Sequence, residues 1–73
     1  MGESDTSQAE LTLTREEAEL LQLLSQGLPL ESVAQRLRTS QRTVRRRTKG
    51  ICDRLGVNSS IQAVVWAAQR GLI

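Results

Sequence analysis

The stretch from Ser40 to Val57 restricts the fold of this chain more than any other, because it has the features of one complete helix. Ser40 is a residue type that caps the start of helices, and Gly56 followed by an apolar residue is a typical helix end. At about 100° per residue, one narrow side of this helix is apolar and must face a core. That side is formed by Val44, Thr48, Ile51 and Leu55.

The opposite side of the same helix is basic. Its cations lie roughly 100° to 200° around the helix axis from Val44, and they are Arg42, Arg45, Arg46 and Lys49. No acidic residue occurs from Gln41 to Cys52, whereas exposed helices usually alternate acids and bases to gain i,i+4 pairs. The major groove of B-form DNA admits a helix, and arginine can donate two hydrogen bonds to a guanine edge. The pattern therefore predicts a polyanion partner, and double-stranded DNA fits it best.

The two parts of the chain carry opposite charge. Residues 1–31 hold seven acidic side chains and one basic one, for a formal charge of −6, whereas residues 32–73 hold one acidic and nine basic ones, for +8. The net charge of +2 hides this asymmetry. We expect the second part to face the polyanion and the acidic part to lie away from it.

Capping patterns predict a helix near each end of the chain. Thr14 and Glu17 have the T-x-x-E spacing of a capping box, in which two side chains satisfy two backbone N–H groups. Ser59 and Gln62 have the same spacing and predict a second capping box.

A short helix precedes the basic one. It starts near Pro29, whose missing N–H costs nothing in a first turn, and a tight turn over 38–40 follows it. A short helix, a turn of about three residues and a long basic helix form the helix-turn-helix arrangement. We therefore predict an all-α four-helix bundle with a helix-turn-helix, its helices covering residues 14–26, 29–37, 41–55 and 59–70.

Several classes of function are disfavoured by composition. The chain has no histidine and a single cysteine, Cys52, so we predict no metal site, no internal disulfide and no cofactor. The sequence contains neither a nucleophile–base pair nor a phosphate-binding glycine loop, so it gives no indication of an enzyme. No apolar run or signal sequence indicates a membrane, so we expect a cytoplasmic protein. Residues 1–10 are polar and are predicted to be a flexible tail or linker, and residues 11–73 to form the domain.

The last predicted helix has more apolar residues than one core-facing side needs. Val65, Trp66 and Ala68 cannot all face inward together with its other apolar residues. Exposed apolar surface marks interaction sites, although a helix that docks deeply into the core would account for the same pattern. We predict a dimer contact formed by Val65, Trp66 and Gln69.

The ordered set of these features resembles the LuxR/FixJ (GerE-like) type of DNA-binding domain, from about Leu13 to the last residue. The motifs that carry the resemblance are Leu13-Thr14-x-Glu16-Glu17, Gly27-Leu28, Val33-Ala34-x-x-Leu37, Ser40-x-x-Thr43-Val44, Ile51-x-x-x-Leu55-Gly56-Val57, Gln62-Ala63-Val64 and Gly71-Leu72-Ile73. The resemblance implies a third helix that enters the major groove and a fourth that forms a dimer contact. It also implies base contacts from Arg45, Arg46 and Lys49, and phosphate contacts from Ser40 and Thr43. Geometry alone adds Arg42 and Arg47 as phosphate contacts.

The chain departs from the family pattern at several positions. Arg38 and Thr39 stand where the family usually has glycine and an apolar residue, so Arg38 is expected to hold a left-handed backbone conformation. Leu30 and Ser32 replace residues that often supply a phosphate contact and an internal ion pair. Gly50 lies inside the basic helix at a cost of roughly 1 kcal/mol against alanine, and it would permit either close approach of a neighbour or a bend.

Two alternatives remain open at this point. One is a helical adaptor whose basic side binds an acidic protein, and the other is a promoter reader similar to region four of a sigma factor. Family resemblance implies a sensor or receiver domain upstream of this output domain, and RNA polymerase as a further candidate partner.

Overall fold

The computed structural model describes residues 12–73, which form four helices and, within that range, no strand. The helices are α1 Arg15–Ser25, α2 Leu30–Arg36, α3 Gln41–Leu55 and α4 Ser60–Gln69. The predicted all-α fold with four helices is confirmed, and α3 has the predicted ends. The other three helices are each one residue shorter at both ends. Their first predicted residues, Thr14, Pro29 and Ser59, are N-caps, and their last, Gln26, Leu37 and Arg70, are C-caps. The tail predicted over residues 1–10 lies outside the described residues.

The capping box at the start of α1 is confirmed. The Thr14 hydroxyl accepts from the backbone N–H of Glu17 at 3.1 Å, and the Glu17 carboxylate accepts from the N–H of Thr14 at 2.9 Å. Both bonds satisfy donors that would otherwise lack a partner at a helix start.

The second capping box is only half right. The Ser59 hydroxyl accepts from the N–H of Gln62 at 3.3 Å, but the Gln62 side-chain oxygen accepts from Asn58 at 2.7 Å instead of from Ser59. Ser59 has φ −148°, against −72° at Thr14. The chain therefore enters α4 in a more extended form, and the glutamine meets the N–H one residue earlier.

All four helices contribute to one apolar core. Within the described residues the core has no buried polar or charged side chain. Helix α1 packs mainly against α4, while α2 packs against α3, which also contacts α1 and α4. Three of the core residues are alanines, which allow helices to approach closely. The buried residues are Leu20, Leu21, Val33, Ala34, Val44, Ile51, Cys52, Ala63 and Ala67. None of the four helices is both long enough and apolar enough to cross a membrane.

The turn between α2 and α3 has a left-handed residue, as expected. Arg38 has φ +56°. Its N–H donates to the carbonyl of Gln35 at 3.1 Å, and the N–H of Thr39 donates to the carbonyl of Ala34 at 2.9 Å. These two bonds form a Schellman motif, which reverses the chain tightly at a helix end. A residue with a Cβ pays about 1–2 kcal/mol for this conformation.

Candidate nucleic-acid interface

Helix α3 presents its apolar side to the core and its basic side to solvent. Val44 and Ile51 are buried, and Thr48 and Leu55 are half-buried. The Thr48 hydroxyl donates to the carbonyl of Val44 at 2.7 Å, so its polar group is satisfied inside the helix. The residues predicted to contact bases are all exposed: Arg45, Arg46 and Lys49. Arg42, predicted to contact a phosphate, is exposed as well.

The N-terminus of α3 is held by two hydroxyl groups. The Ser40 hydroxyl accepts from the N–H of Thr43 at 3.1 Å, and the two side-chain oxygens lie 3.0 Å apart in a hydrogen bond. The pair has two hydroxyl hydrogens and one internal bond, so one hydrogen remains to donate outward. It lies at the positive end of the helix dipole, which suits an anion such as a phosphate.

The cations of residues 32–73 divide into two groups by their partners. Lys49 forms a 3.2 Å ion pair with Asp53, with both side chains largely exposed (78% and 67%). Arg70 lies 4.2 Å above the ring centre of Trp66 and donates to that residue's carbonyl. Arg54 binds Glu17. Within the described chain, the remaining cations form no salt bridge, and they are Arg36, Arg38, Arg42, Arg45, Arg46 and Arg47.

Arg47 lies on a different flank of α3 from the other predicted contacts. It is exposed, but it lines a cleft of about 430 Å³ between α1 and α3 together with Glu16 and Glu17. On the helix it falls about 60° from Val44, in the direction opposite to Arg45. The structure therefore brings Arg42, Arg45, Arg46 and Lys49 to one side and does not bring Arg47 there.

An ion pair between α1 and α3 was missed by sequence reasoning. The guanidinium of Arg54 donates to both carboxylate oxygens of Glu17, at 2.6 and 2.7 Å, and to the carbonyl of Thr12 at 3.2 Å. The hydrogen bonds from Arg54 hold the pKa of Glu17 below its usual value, and the same contact raises the pKa of Arg54. One signal was present in the sequence: Arg54 falls beside the apolar stripe of α3, away from the basic side.

Cys52 lies at the edge of the core, as predicted, with 8% of its surface exposed. It is in the wall of a cleft of about 510 Å³ that Arg45, Lys49 and Ser59 also line. Burial raises the pKa of the Cys52 thiol. Because the thiolate is the reactive form, this environment suits packing and disfavours nucleophilic chemistry.

Two of the three residues predicted to form the dimer contact on α4 are exposed, and the third is half-buried. Val65 is 47% exposed and Gln69 is exposed, whereas Trp66 is half-buried against the core beneath the Arg70 side chain. Ile61 is 73% exposed and was missed. Its spacing of four residues from Val65 is the signal that places both on one side of the helix.

The chain matches a known family over most of its length. The family model described as "Bacterial regulatory proteins, luxR family" matches residues 11–67. The chain is 38% identical over 64 residues to the transcriptional regulatory protein YdfI of Bacillus subtilis (strain 168), covering 88% of this chain and 30% of that protein.

Two further relatives give the same result. The nitrate/nitrite response regulator protein NarL of Escherichia coli (strain K12) is 35% identical over 57 residues, which are 78% of this chain and 26% of NarL. The transcriptional regulatory protein DegU of Brevibacillus brevis is 34% identical over 61 residues, which are 84% of this chain and 26% of DegU. The chain thus spans less than a third of the length of these relatives. No solved structure matches it at a significant level.

Proposed function

Because the chain belongs to the LuxR family of bacterial regulatory proteins, we propose that it binds double-stranded DNA sequence-specifically through α3. In this proposal α3 is the recognition helix and lies in the major groove. The chain acts as the C-terminal output domain of a cytoplasmic transcriptional regulator, and a sensor or receiver domain precedes it in the whole protein.

The observation that carries the proposal is the distribution of cations without a carboxylate partner. Within the described residues, the chain from Arg36 to Arg47 is rich in such cations, while the acidic side chains of Glu16 and Glu19 lie on α1. Concentrated positive charge is costly by itself and is relieved by a polyanion. Each phosphate that a cation neutralises releases counterions, which provides a large, salt-dependent part of the binding free energy.

We assign base contacts to Arg45, Arg46 and Lys49, because arginine and lysine pair with the O6 and N7 acceptors of guanine. Lys49 must exchange its contact with Asp53 for the base, which costs little because both side chains are exposed and solvent screens the pair. Phosphate contacts are assigned to Ser40, Arg42 and Thr43. Arg47 is assigned a flanking phosphate contact from the neighbouring side of α3. For Ser40 and Thr43 the remaining hydroxyl hydrogen at the start of α3 supports the assignment.

We also propose that two copies bind together through α4, by Val65, Trp66 and Gln69. The exposure of Val65 supports an apolar contact there, and exposed Ile61 extends it. A two-fold dimer would place two recognition helices in successive major grooves, about ten base pairs apart. RNA polymerase remains a further candidate partner of the whole regulator.

Selection of duplexes from a randomised pool, followed by binding measurements on variants, tests this function. We expect a defined preferred sequence and an affinity that falls steeply with salt. Arg46→Ala should relax the preference at particular base pairs, by roughly 1–3 kcal/mol. Arg42→Ala should weaken all duplexes alike. Arg15→Ala is the matched control, since Arg15 is an exposed cation on α1, and it should leave binding unchanged.

Two results would contradict the proposal. Equal affinity for every duplex would favour an adaptor that binds an acidic protein. A uniform loss in both Arg42→Ala and Arg46→Ala would show that the division into base and phosphate contacts is wrong.

A further inference from the structure

Arg38 occupies a backbone position that the other helix ends of this chain give to glycine. It has φ +56° and is the one residue other than glycine with positive φ between residues 12 and 73. The chain leaves α1, α3 and α4 through residues of the same conformation, and these are Gly27, Gly56 and Gly71. A Cβ disfavours this conformation. Folding of the turn therefore does not explain why an arginine stands here.

The side chain of Arg38 also has no partner among residues 12–73. It is exposed, and within the described residues its guanidinium forms no salt bridge and no hydrogen bond. Only its backbone is used, through the N–H that donates to Gln35. The arginine thus adds a charge to the surface without a visible contribution to the packing.

Arg38 lies in a stretch of the chain, residues 32–52, whose charged side chains are all basic. Arg36 and Arg42 flank it in the sequence, and the nearest acidic residues along the chain are Glu31 and Asp53. Arg38 lies two residues before Ser40, the N-cap of α3, so the turn and the start of α3 form one continuous basic segment. DNA carries one phosphate charge per about 1.7 Å of its axis, and a helix in the groove lies between two rows of phosphates.

We propose that Arg38 binds a DNA phosphate from the helix-turn-helix turn, and that this contact compensates for the strained backbone. Strain that the fold does not require is retained at functional sites. The contact is independent of sequence and fixes the position of α3 in the groove. This inference rests on the proposed DNA binding, and it adds a residue outside α3 to the contacts assigned above.

Two variants separate charge from strain. Arg38→Gly removes both, and Arg38→Gln removes the charge but keeps a Cβ. The probes are a labelled duplex pool of randomised sequence and the best duplex selected from it, with the full 73-residue chain. Arg15→Gln is the control for the loss of a cation elsewhere.

We expect both Arg38 variants to bind about fivefold to tenfold more weakly at about 0.1 M salt, on the selected duplex and on the pool alike. The slope of log K against log salt should become less steep by about 0.9, the value for one phosphate. Only Arg38→Gly should also raise the midpoint of thermal unfolding, by about 4–8 °C. Arg15→Gln should leave the slope unchanged.

The failures of this inference and of the proposed function are distinguishable. If the parent chain binds duplexes with a steep salt slope and both Arg38 variants have the same slope and affinity, Arg38 does not bind a phosphate. If the loss occurs on the selected duplex alone, Arg38 reads bases, and the phosphate contact is wrong. If the parent chain itself binds no duplex, the proposed function falls and this inference falls with it.

Discussion

The carboxylate of Glu17 accepts two hydrogen bonds from the guanidinium of Arg54, while its Oε1 atom also accepts from the backbone N–H of Thr14. One side chain therefore closes the start of α1 and holds the last turn of α3 against it. Bidentate arginine–carboxylate pairs restrict geometry as well as adding energy. The contact between the last turn of α3 and the start of α1 thus depends on a residue of α1.

Two substitutions of Glu17 should lower the free energy of unfolding by different amounts. Glu17→Gln keeps an oxygen for the N–H of Thr14 but weakens the pair with Arg54, and we expect a loss of about 1 kcal/mol in the free energy of unfolding. This is below the roughly 1.5–3 kcal/mol of hydrogen bonds to charged groups, because Arg54 is 38% exposed and solvent screens the pair. Glu17→Ala also removes the acceptor for the N–H of Thr14, which is one half of the capping box, and should cost about 2 kcal/mol in total. Urea unfolding measures both.

The matched control for these variants is Glu19→Gln. Glu19 is an exposed acid of the same helix that forms no salt bridge within residues 12–73. Its replacement should change the unfolding free energy by less than about 0.5 kcal/mol. An equal loss at both positions would mean that total charge, and not the contact with Arg54, matters.

The same pair should make stability depend on acid pH. The hydrogen bonds from Arg54 lower the pKa of Glu17 in the folded chain below the reference value of 4.5. A lowered folded pKa stabilises the fold above the unfolded pKa, and this contribution disappears as the pH falls through the folded value. The difference in thermal midpoint between the parent chain and Glu17→Gln should therefore be constant near neutral pH. It should shrink once the pH drops below about 4.5; a difference that grows toward acid pH would give the wrong sign.

Gly50 should be replaceable by alanine with a gain in stability. Apart from its own stretch of helix, a Cβ built at Gly50 meets no atom of the described residues within 4 Å, so no packed neighbour in this part of the chain requires a glycine. Gly50→Ala should raise the free energy of unfolding by about 0.5–1 kcal/mol. Gly56→Ala is the contrasting variant, because Gly56 has φ +74°; it should lower stability although its surroundings are equally open. Chemical denaturation of both variants decides the point, and a loss at Gly50 would contradict the open surroundings on which this prediction rests.

Two substitutions on α4 should affect different properties, one the binding of two copies and the other the stability of the fold. Val65→Asp should leave the thermal midpoint nearly unchanged, because Val65 is 47% exposed, but should abolish cooperative binding to a duplex with two sites. Trp66→Ala should lower stability by about 1–3 kcal/mol, less than for a fully buried tryptophan, because the ring is half-buried and Arg70 lies over it. The exposed Gln22 on α1 supplies the control Gln22→Asp. Unaltered cooperativity in Val65→Asp would exclude this surface as the dimer contact.

The features that sequence reasoning predicted correctly depend on neighbours within one helix. Ser40 and Gly56 bound α3 because a cap and a left-handed glycine act within one turn, and those residue types are visible in the chain. Val44 and Ile51 are buried, and Arg45 and Arg46 exposed, because the helical repeat alone separates them by angle.

The features that sequence reasoning missed depend on how the helices pack against one another. The angle of Arg54 excludes it from the basic side, but which acid it contacts is set by the packing of α1 on α3, across 37 residues of sequence. The burial of Trp66 likewise depends on its neighbours, since the helical repeat indicates the direction in which a side chain points but not how much of it is covered. The bond from Asn58 to Gln62 follows the extended conformation before α4, which a cap pattern does not report.

Helix α3 keeps its structural and its outward-facing side chains at separate positions, with Val44 and Ile51 in the core and the arginines in solvent. Substitutions at outward positions usually change stability by no more than about 0.5 kcal/mol. Under the proposed function, a lineage that carries this scaffold can change its target by replacing the proposed base contacts while the domain goes on folding. Gene duplication followed by drift at positions 45, 46 and 49 would then generate regulators with new targets on an unchanged framework.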